Sequence, residues 1–222
     1  MIIKTEPHYS YYLCTLIGGI IMFEYIKLQR TMCFGTCPVY NVTVDKEGNV
    51  NYYGEMFVYK SGEYHWKISR RKVKQLNDLI EEFGFKSFIY EPGDEFITDR
   101  PSCITTVKYS NGETKEIDHY YGHISIDDSL TAFENKIERI IGTKKYVNPT
   151  LYIYFVEEKI LKPSIRYMVI SASEKEAISL VEKDCTNQEA LKWKTRKIGV
   201  ATDDYYEPLI LMREFKYSNE NL

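Results

Sequence analysis

Cysteine is scarce in this chain, with five among 222 residues, and the count is odd. Cys14, Cys33, Cys37, Cys103 and Cys185 do not form the dense, even-numbered framework of a small secreted disulfide scaffold. A chain of this length also buries enough apolar surface to fold without such staples. Charge of one sign is lacking as well: the net charge is −3, with no charged tail, which excludes the strongly basic footprint of a nucleic-acid binder. No glycine-rich phosphate loop, HExxH, GxSxG or EF-hand pattern occurs. Nor is there an uninterrupted apolar stretch of the roughly 20 residues that a membrane helix needs.

The most apolar run is "SYYLCTLIGGIIMFEY", residues 10–25. It is short and interrupted for a membrane span. It also lacks the basic flank and small-x-small cleavage site of a signal peptide. Gly18-Gly19 can be encoded by a purine-rich ribosome-binding sequence, so residues 1–21 read as an N-terminal extension, with Met22 as the start. The alternative is an anchor or export segment. The expected location is cytoplasmic, or membrane-anchored or exported if residues 1–21 are translated.

What the chain does have is tyrosine, 20 residues of it, mostly in alternating runs that read as strands. "EYIKLQR" (24–30) and "VYNVTVD" (39–45) alternate, the second with Tyr40, Val42 and Val44 on one face. "KEGN" turns at Gly48, and residues 49–54 return. "EMFVYK" and "EYHWKIS" read as a further hairpin. Val73, Leu76, Ile80 and Phe83 mark one face of a helix from Ser69 to a stop at Gly84. Asn111-Gly112 joins two alternating strands. Leu130, Phe133, Ile137 and Ile140 mark a second helix, with a capping-box-like start at Ser125 and Asp128. Residues 143–150 read as a linker. Beyond it lie two strands with Pro163 in their turn, a helix capped by Ser173 and Glu176, and two closing strands. The predicted fold class is α+β: an antiparallel sheet covered by two helices over residues 22–145, then a small ββαββ module over 146–216. Residues 217–222 read as a tail.

One stretch is not generic. "TMCFGTCPVY", residues 31–40, holds two cysteines four apart, with Gly35 between them and Pro38 after. The segment reads as a loop, tight enough for a disulfide. As a metal half-site, zinc being the candidate cofactor, Cys33 and Cys37 need further ligands, for which Cys103, His119 and His123 are available. As a redox pair they depart from CxxC spacing. As a nucleophile, a cysteine would need His119 as base and Asp99 as orienter. As architecture, the cysteines pack as small apolar residues and Phe34 plugs the core. Asp99 in "TDRPS" fits a local turn. "LKWKTRK", 191–197, sets four cations around one tryptophan and reads as a solvated strand face.

The run from residue 26 to 54, with its CFGTCPVY string, resembles an uncharacterised bacterial domain family. So do Thr98-Asp99-Arg100-Pro101, the His119-Tyr120-Tyr121-Gly122 strand end and the helix that follows. The resemblance covers about residues 24–142 and implies a compact α+β fold, with no established activity. The C-terminal module lies outside it. With no complete catalytic constellation in view, the expected function is a non-enzymatic module that recruits a protein partner through a strand edge or tyrosine-rich face. It is expected to take no cofactor, with zinc as the alternative, no nucleic acid, and no membrane unless residues 1–21 are a real anchor. The alternative is a thiol site at Cys33 and Cys37.

Overall fold

The computed structural model describes residues 22–123, 128–158, 164–185, 192–202, 205 and 207–216. The apolar run up to residue 21, Ser125, Pro163, Leu191 and the tail lie outside them. The content is mixed α/β. In chain order the elements are β1 (Phe23–Arg30), β2 (Val39–Asp45), β3 (Asn49–Met56), β4 (Gly62–Lys67), α1 (Arg70–Phe83), β5 (Ser102–Tyr109), β6 (Thr114–Tyr120), α2 (Ser129–Ile141), α3 (Lys144–Val147), β7 (Tyr152–Glu158), β8 (Ser164–Ser171), α4 (Glu174–Asp184), β9 (Trp193–Val200) and β10 (Leu209–Lys216). A six-stranded sheet runs β4-β3-β2-β1-β5-β6, and a four-stranded sheet runs β10-β8-β7-β9.

The chain divides into two compact units, each drawn from separate stretches. The first takes residues up to Arg30, Asn41–Tyr52 and Tyr64–Ile141; the second takes Thr31–Tyr40, Tyr53–Glu63 and the chain from Gly142 on.

In the first unit, strand alternation becomes a core. Ile26 and Leu28 of β1, Val42 and Val44 of β2 and Val107 of β5 are fully buried. Each such side chain contributes roughly 1.5–3 kcal/mol relative to exposure. Gly48 takes a φ of 84° in the β2–β3 turn, as its position demands. The Asn111-Gly112 turn closes β5 onto β6 in antiparallel register, Cys103 facing His119 and Val107 facing Lys115. Val73, Leu76 and Ile80 of α1 are buried, and the helix ends on a left-handed Gly84. Ser69 precedes α1 in an extended conformation, but its side chain makes no capping bond. Phe133 of α2 stacks on Phe83 and Phe85, with ring centroids 4.3 and 5.2 Å apart, so aromatic packing joins α2 to the end of α1. On α2 the buried positions are Leu130, Phe133, Glu134, Ile137 and Ile141; Ile140, expected in that stripe, is only half-buried.

In the second unit, Tyr154, Val156, Tyr167 and Val169 pack with Ala177 and Val181 of α4. The Ser173 side chain accepts a hydrogen bond from the Glu176 amide, as the capping box requires. Two expectations change here. "EMFVYK" is not a continuous strand: β3 ends at Met56, and Phe57 takes a left-handed φ of 52° that breaks the ladder. The amides of Tyr59 and Lys60 instead donate to the carbonyls of Val147 and Tyr146, at 2.9 and 2.8 Å. Those bonds anchor residues 143–150, where the linker reading gives way to the single helical turn α3.

Candidate functional site

Cys33 and Cys37 are joined in a disulfide, their Cα atoms 5.7 Å apart, inside the window such a bridge requires. The Gly35 amide donates to the Cys33 carbonyl at 2.9 Å, tightening the loop. Phe34 does not plug the core: it is 90% exposed, because the bridge turns the intervening residues outward. Thr36 and Pro38 form part of the wall of a cleft of about 450 Å³, together with Phe57, Tyr59 and residues 147–151. The volume falls in the range of small-ligand sites. Tyr59 is fixed in that wall. Its hydroxyl donates to Glu176 and accepts from the Ala172 amide at 3.1 Å. Burial, with Glu176 beside it, pushes the phenol well above its ordinary range. Lys60 pairs with the same carboxylate at 2.5 Å. Burial alone would raise Glu176, but the bonds from Lys60 and Tyr59 outweigh it and hold that carboxyl below the usual range.

A second cluster lies in the first unit. Arg30, Cys103 and His119 form one row across three strands, since Arg30 faces Cys103 and Cys103 faces His119. Helix α2 brings Glu134 and Glu138 to this row from consecutive turns. Glu138 accepts from Arg30 Nε at 3.0 Å. Glu134, fully buried, accepts from the Tyr121 hydroxyl at 2.6 Å, and His119 Nδ1 lies 3.2 Å from both its oxygens. Arg30 also donates to the Tyr121 hydroxyl, and its guanidinium carbon stands 5.1 Å from that ring's centre. A buried charge is tolerable only when it is paired and hydrogen-bonded, and this network meets that condition at each step.

The cluster is not set up for nucleophilic chemistry. Burial pushes the Cys103 thiol far above its ordinary value, with Glu134 and Glu138 adding to the shift and Arg30 opposing it. Burial likewise raises the Tyr121 phenol, against the opposing effect of Arg30. Both groups are neutral at physiological pH. The carboxylate that holds His119 is Glu134, and the cysteine in register with it is the buried Cys103. Cys33 and Cys37 belong to the other unit. Among the described residues, no group of three or more His, Cys, Asp or Glu is gathered to hold a metal ion.

Asp99 sits in the exposed segment before β5 with a φ of 65°, a left-handed conformation that Asp tolerates better than most residues. Around it the backbone is pinned. Arg100 N donates to the Tyr120 hydroxyl at 3.2 Å, the same hydroxyl donates to the Ile97 carbonyl at 2.9 Å, and Tyr121 N donates to the Pro101 carbonyl at 2.9 Å. Ile97 N closes on the Gly122 carbonyl at 2.7 Å. A Cβ on Gly122 would fall 2.2 Å from both the Ile97 carbonyl and the Tyr120 ring, so only glycine fits there. Residues 98–101 and 119–122, widely separated in sequence, thus meet in one place.

A family model described as "Domain of unknown function (DUF6438)" matches residues 24–141. The chain belongs to this family. No curated protein and no solved structure matches it. Both the disulfide loop and the Arg30–Glu134 network fall inside the DUF6438 segment, as does the Gly122 contact. The match ends just before α3. No helix among the described residues is long and apolar enough to cross a membrane.

The sequence reading missed Arg30, Tyr121, Glu134 and Glu138. A signal was present: Arg30 continues the buried phase of Ile26 and Leu28, and Glu134 falls between Leu130 and Ile137 on the apolar stripe of α2. A charge at an apolar-phase position on two separate elements marks a buried pair.

Proposed function

We propose that this DUF6438 protein is a non-enzymatic binding module whose protein partner seats a segment in the cleft beside the Cys33–Cys37 bridge. The observation that supports this reading is the placement of Thr36 and Pro38, from the CFGTCP string, in the wall of a ligand-sized cleft. The chemistry-bearing residues of the other cluster are mutually satisfied inside the core. The bridge acts as a brace that fixes the loop, and the bonds of Tyr59 to Glu176 and Ala172 fix another part of the wall. Preorganised walls lower the ordering cost of binding. A bonded cysteine pair fits an oxidising compartment, which favours the exported or membrane-anchored alternative over a cytoplasmic one.

The test is an amide-shift titration of the full chain with a pool of short extended peptides, beside the variant Thr36→Trp, which fills the cleft. The expected result is movement at residues 36, 37, 57–59, 147, 148, 150 and 151, lost in the variant. Movement that spares those residues, or turnover of any pool member, overturns the reading.

A second reading has its own observation. Phe34, Gly35 and Thr36 are exposed, so the bridge is open to attack by a partner thiolate, as a redox pair would be. A reduction potential above roughly −230 mV supports exchange; one below roughly −300 mV marks a structural bridge.

A further inference from the structure

The four-stranded sheet of the second unit buries one face against α4. The other face carries a different set of residues. Cross-strand register places Arg166, Glu157 and Lys194 in one row across β8, β7 and β9, and Met168, Phe155 and Arg196 in the next. The guanidinium carbons of Arg166 and Arg196 each stand 5.8 Å from the centre of the Phe155 ring. These residues line a groove of about 350 Å³. Three cations share it with one carboxylate, and that carboxylate, Glu157, is paired with Arg166 at 2.7 Å. Lys194 and Arg196 form no ion pair with any described carboxylate. Such unspent charge is a local exception in a chain whose net charge is −3.

The second feature is the strand that carries them. β9 closes the sheet order, pairing with β7 on one side and with no described strand on the other. Its pairing is regular from residue 193 to 197. There Tyr154 faces Lys197 while Ile153 faces Gly199, leaving Ile198 as a bulge. An edge of unpaired amides and carbonyls is a template for another strand.

We propose that β9 is a docking edge for an extended acidic segment of a partner protein, added as a fifth strand beside residues 193–197. Lys194 and Arg196 lie two residues apart on one face, about 7 Å along the strand, so acidic side chains at alternate positions of the segment would meet them in turn. Arg196 and Arg166, spread over Phe155, supply forked donors suited to carboxylates. The backbone ladder is what favours a peptide: a nucleic acid has no repeating backbone amides to pair with the edge. This edge is distinct from the cleft beside Thr36, so the two sites fail or stand separately.

The experiment is fluorescence anisotropy of the full chain with labelled acetyl-(Glu-Thr)4-amide, against the (Lys-Thr)4 peptide and a twelve-residue oligothymidylate. Hydrogen exchange of the β9 amides is read in parallel. The expected result is selective binding of the acidic peptide, weakened at least tenfold between 50 and 300 mM salt and in the Lys194→Glu/Arg196→Glu variant, with slowed exchange at residues 193–197. If that variant does not fold, Arg196→Gln and the peptide comparison decide the matter. Equal binding of both peptides, preference for the oligonucleotide, or undiminished binding by a folded charge variant overturns the proposal. Absence of binding also overturns it, leaving Lys194 and Arg196 as guards against edge aggregation.

Discussion

The two units each place an arginine over an aromatic ring beside a glutamate, and they use that trio differently. In the first, Arg30 stands over Tyr121 with the fully buried Glu134 and the mostly buried Glu138 behind it, and each polar group is answered within the unit. In the second, Arg166 and Arg196 flank Phe155 with Glu157 beside them, half-buried or exposed, and the Arg196 guanidinium has no carboxylate partner among the described residues. Residue type alone does not separate the two. Desolvation does: a buried arginine must be neutralised by its own chain, whereas a solvated one can wait for a partner. The first trio is a strut of the fold, and the second faces outward.

The comparison breaks most sharply at Glu134. Glu134→Leu leaves the Tyr121 hydroxyl and His119 Nδ1 without the carboxylate they share, and removing one partner of a buried ionic network costs about 3–5 kcal/mol. Denaturant titration should show that loss, while charge reversal at Arg196 should leave the same midpoint nearly unmoved. Gly122→Ala forces the Ile97 carbonyl and the Tyr120 ring aside, an overpacking that costs about 1–3 kcal/mol. Hydrogen exchange at Ile97 should quicken as its bond to Gly122 fails.

Smaller effects separate the second unit. Cys33→Ser with Cys37→Ser removes a short-range crosslink, for which chain entropy predicts about 2 kcal/mol. The cleft should then lose definition, with Thr36 amide exchange accelerating, while the Cys103 thiol stays unreactive until global unfolding. Acid acts through Glu176. Its folded-state pKa lies below the ordinary carboxylate value, so its stabilising contribution is present above that value and lost as pH falls through the folded one. Glu176→Gln should therefore flatten the acid limb of the second unit's melting curve relative to the parent. The least change is expected at the exposed pair Lys46 and Glu24: Lys46→Ala should leave the unfolding midpoint unresolved from the parent.

Much of the fold was legible because local rules agreed with one another. Gly48 and Gly112 announced turns, Gly84 a helix stop, and Ser173 with Glu176 a capped start, and each pattern sits beside apolar spacing of matching period. The expectation of a family resemblance over residues 24–142 agrees with the match over residues 24–141. What local rules could not show is where distant segments meet. The backbone bonds of Tyr59 and Lys60 to Val147 and Tyr146 turned a linker into α3 and cut short the strand expected at residues 55–60. Phe34 looked like core by composition, yet a four-residue bridge carries it into solvent. The buried network escaped notice because a glutamate on an amphipathic helix is ordinarily solvated; only its phase against Leu130 and Ile137 distinguished it.

The central claim is that binding belongs to the cleft walled by the bridged loop, and that the His119–Glu134 network is structural. Amide-shift mapping of the full chain against the peptide pool tests this most directly. The account predicts perturbations clustered at residues 36, 37, 57–59, 147, 148, 150 and 151, abolished by Thr36→Trp. Perturbations centred on His119, Tyr121 and Glu134, and unaffected by Thr36→Trp, would contradict it.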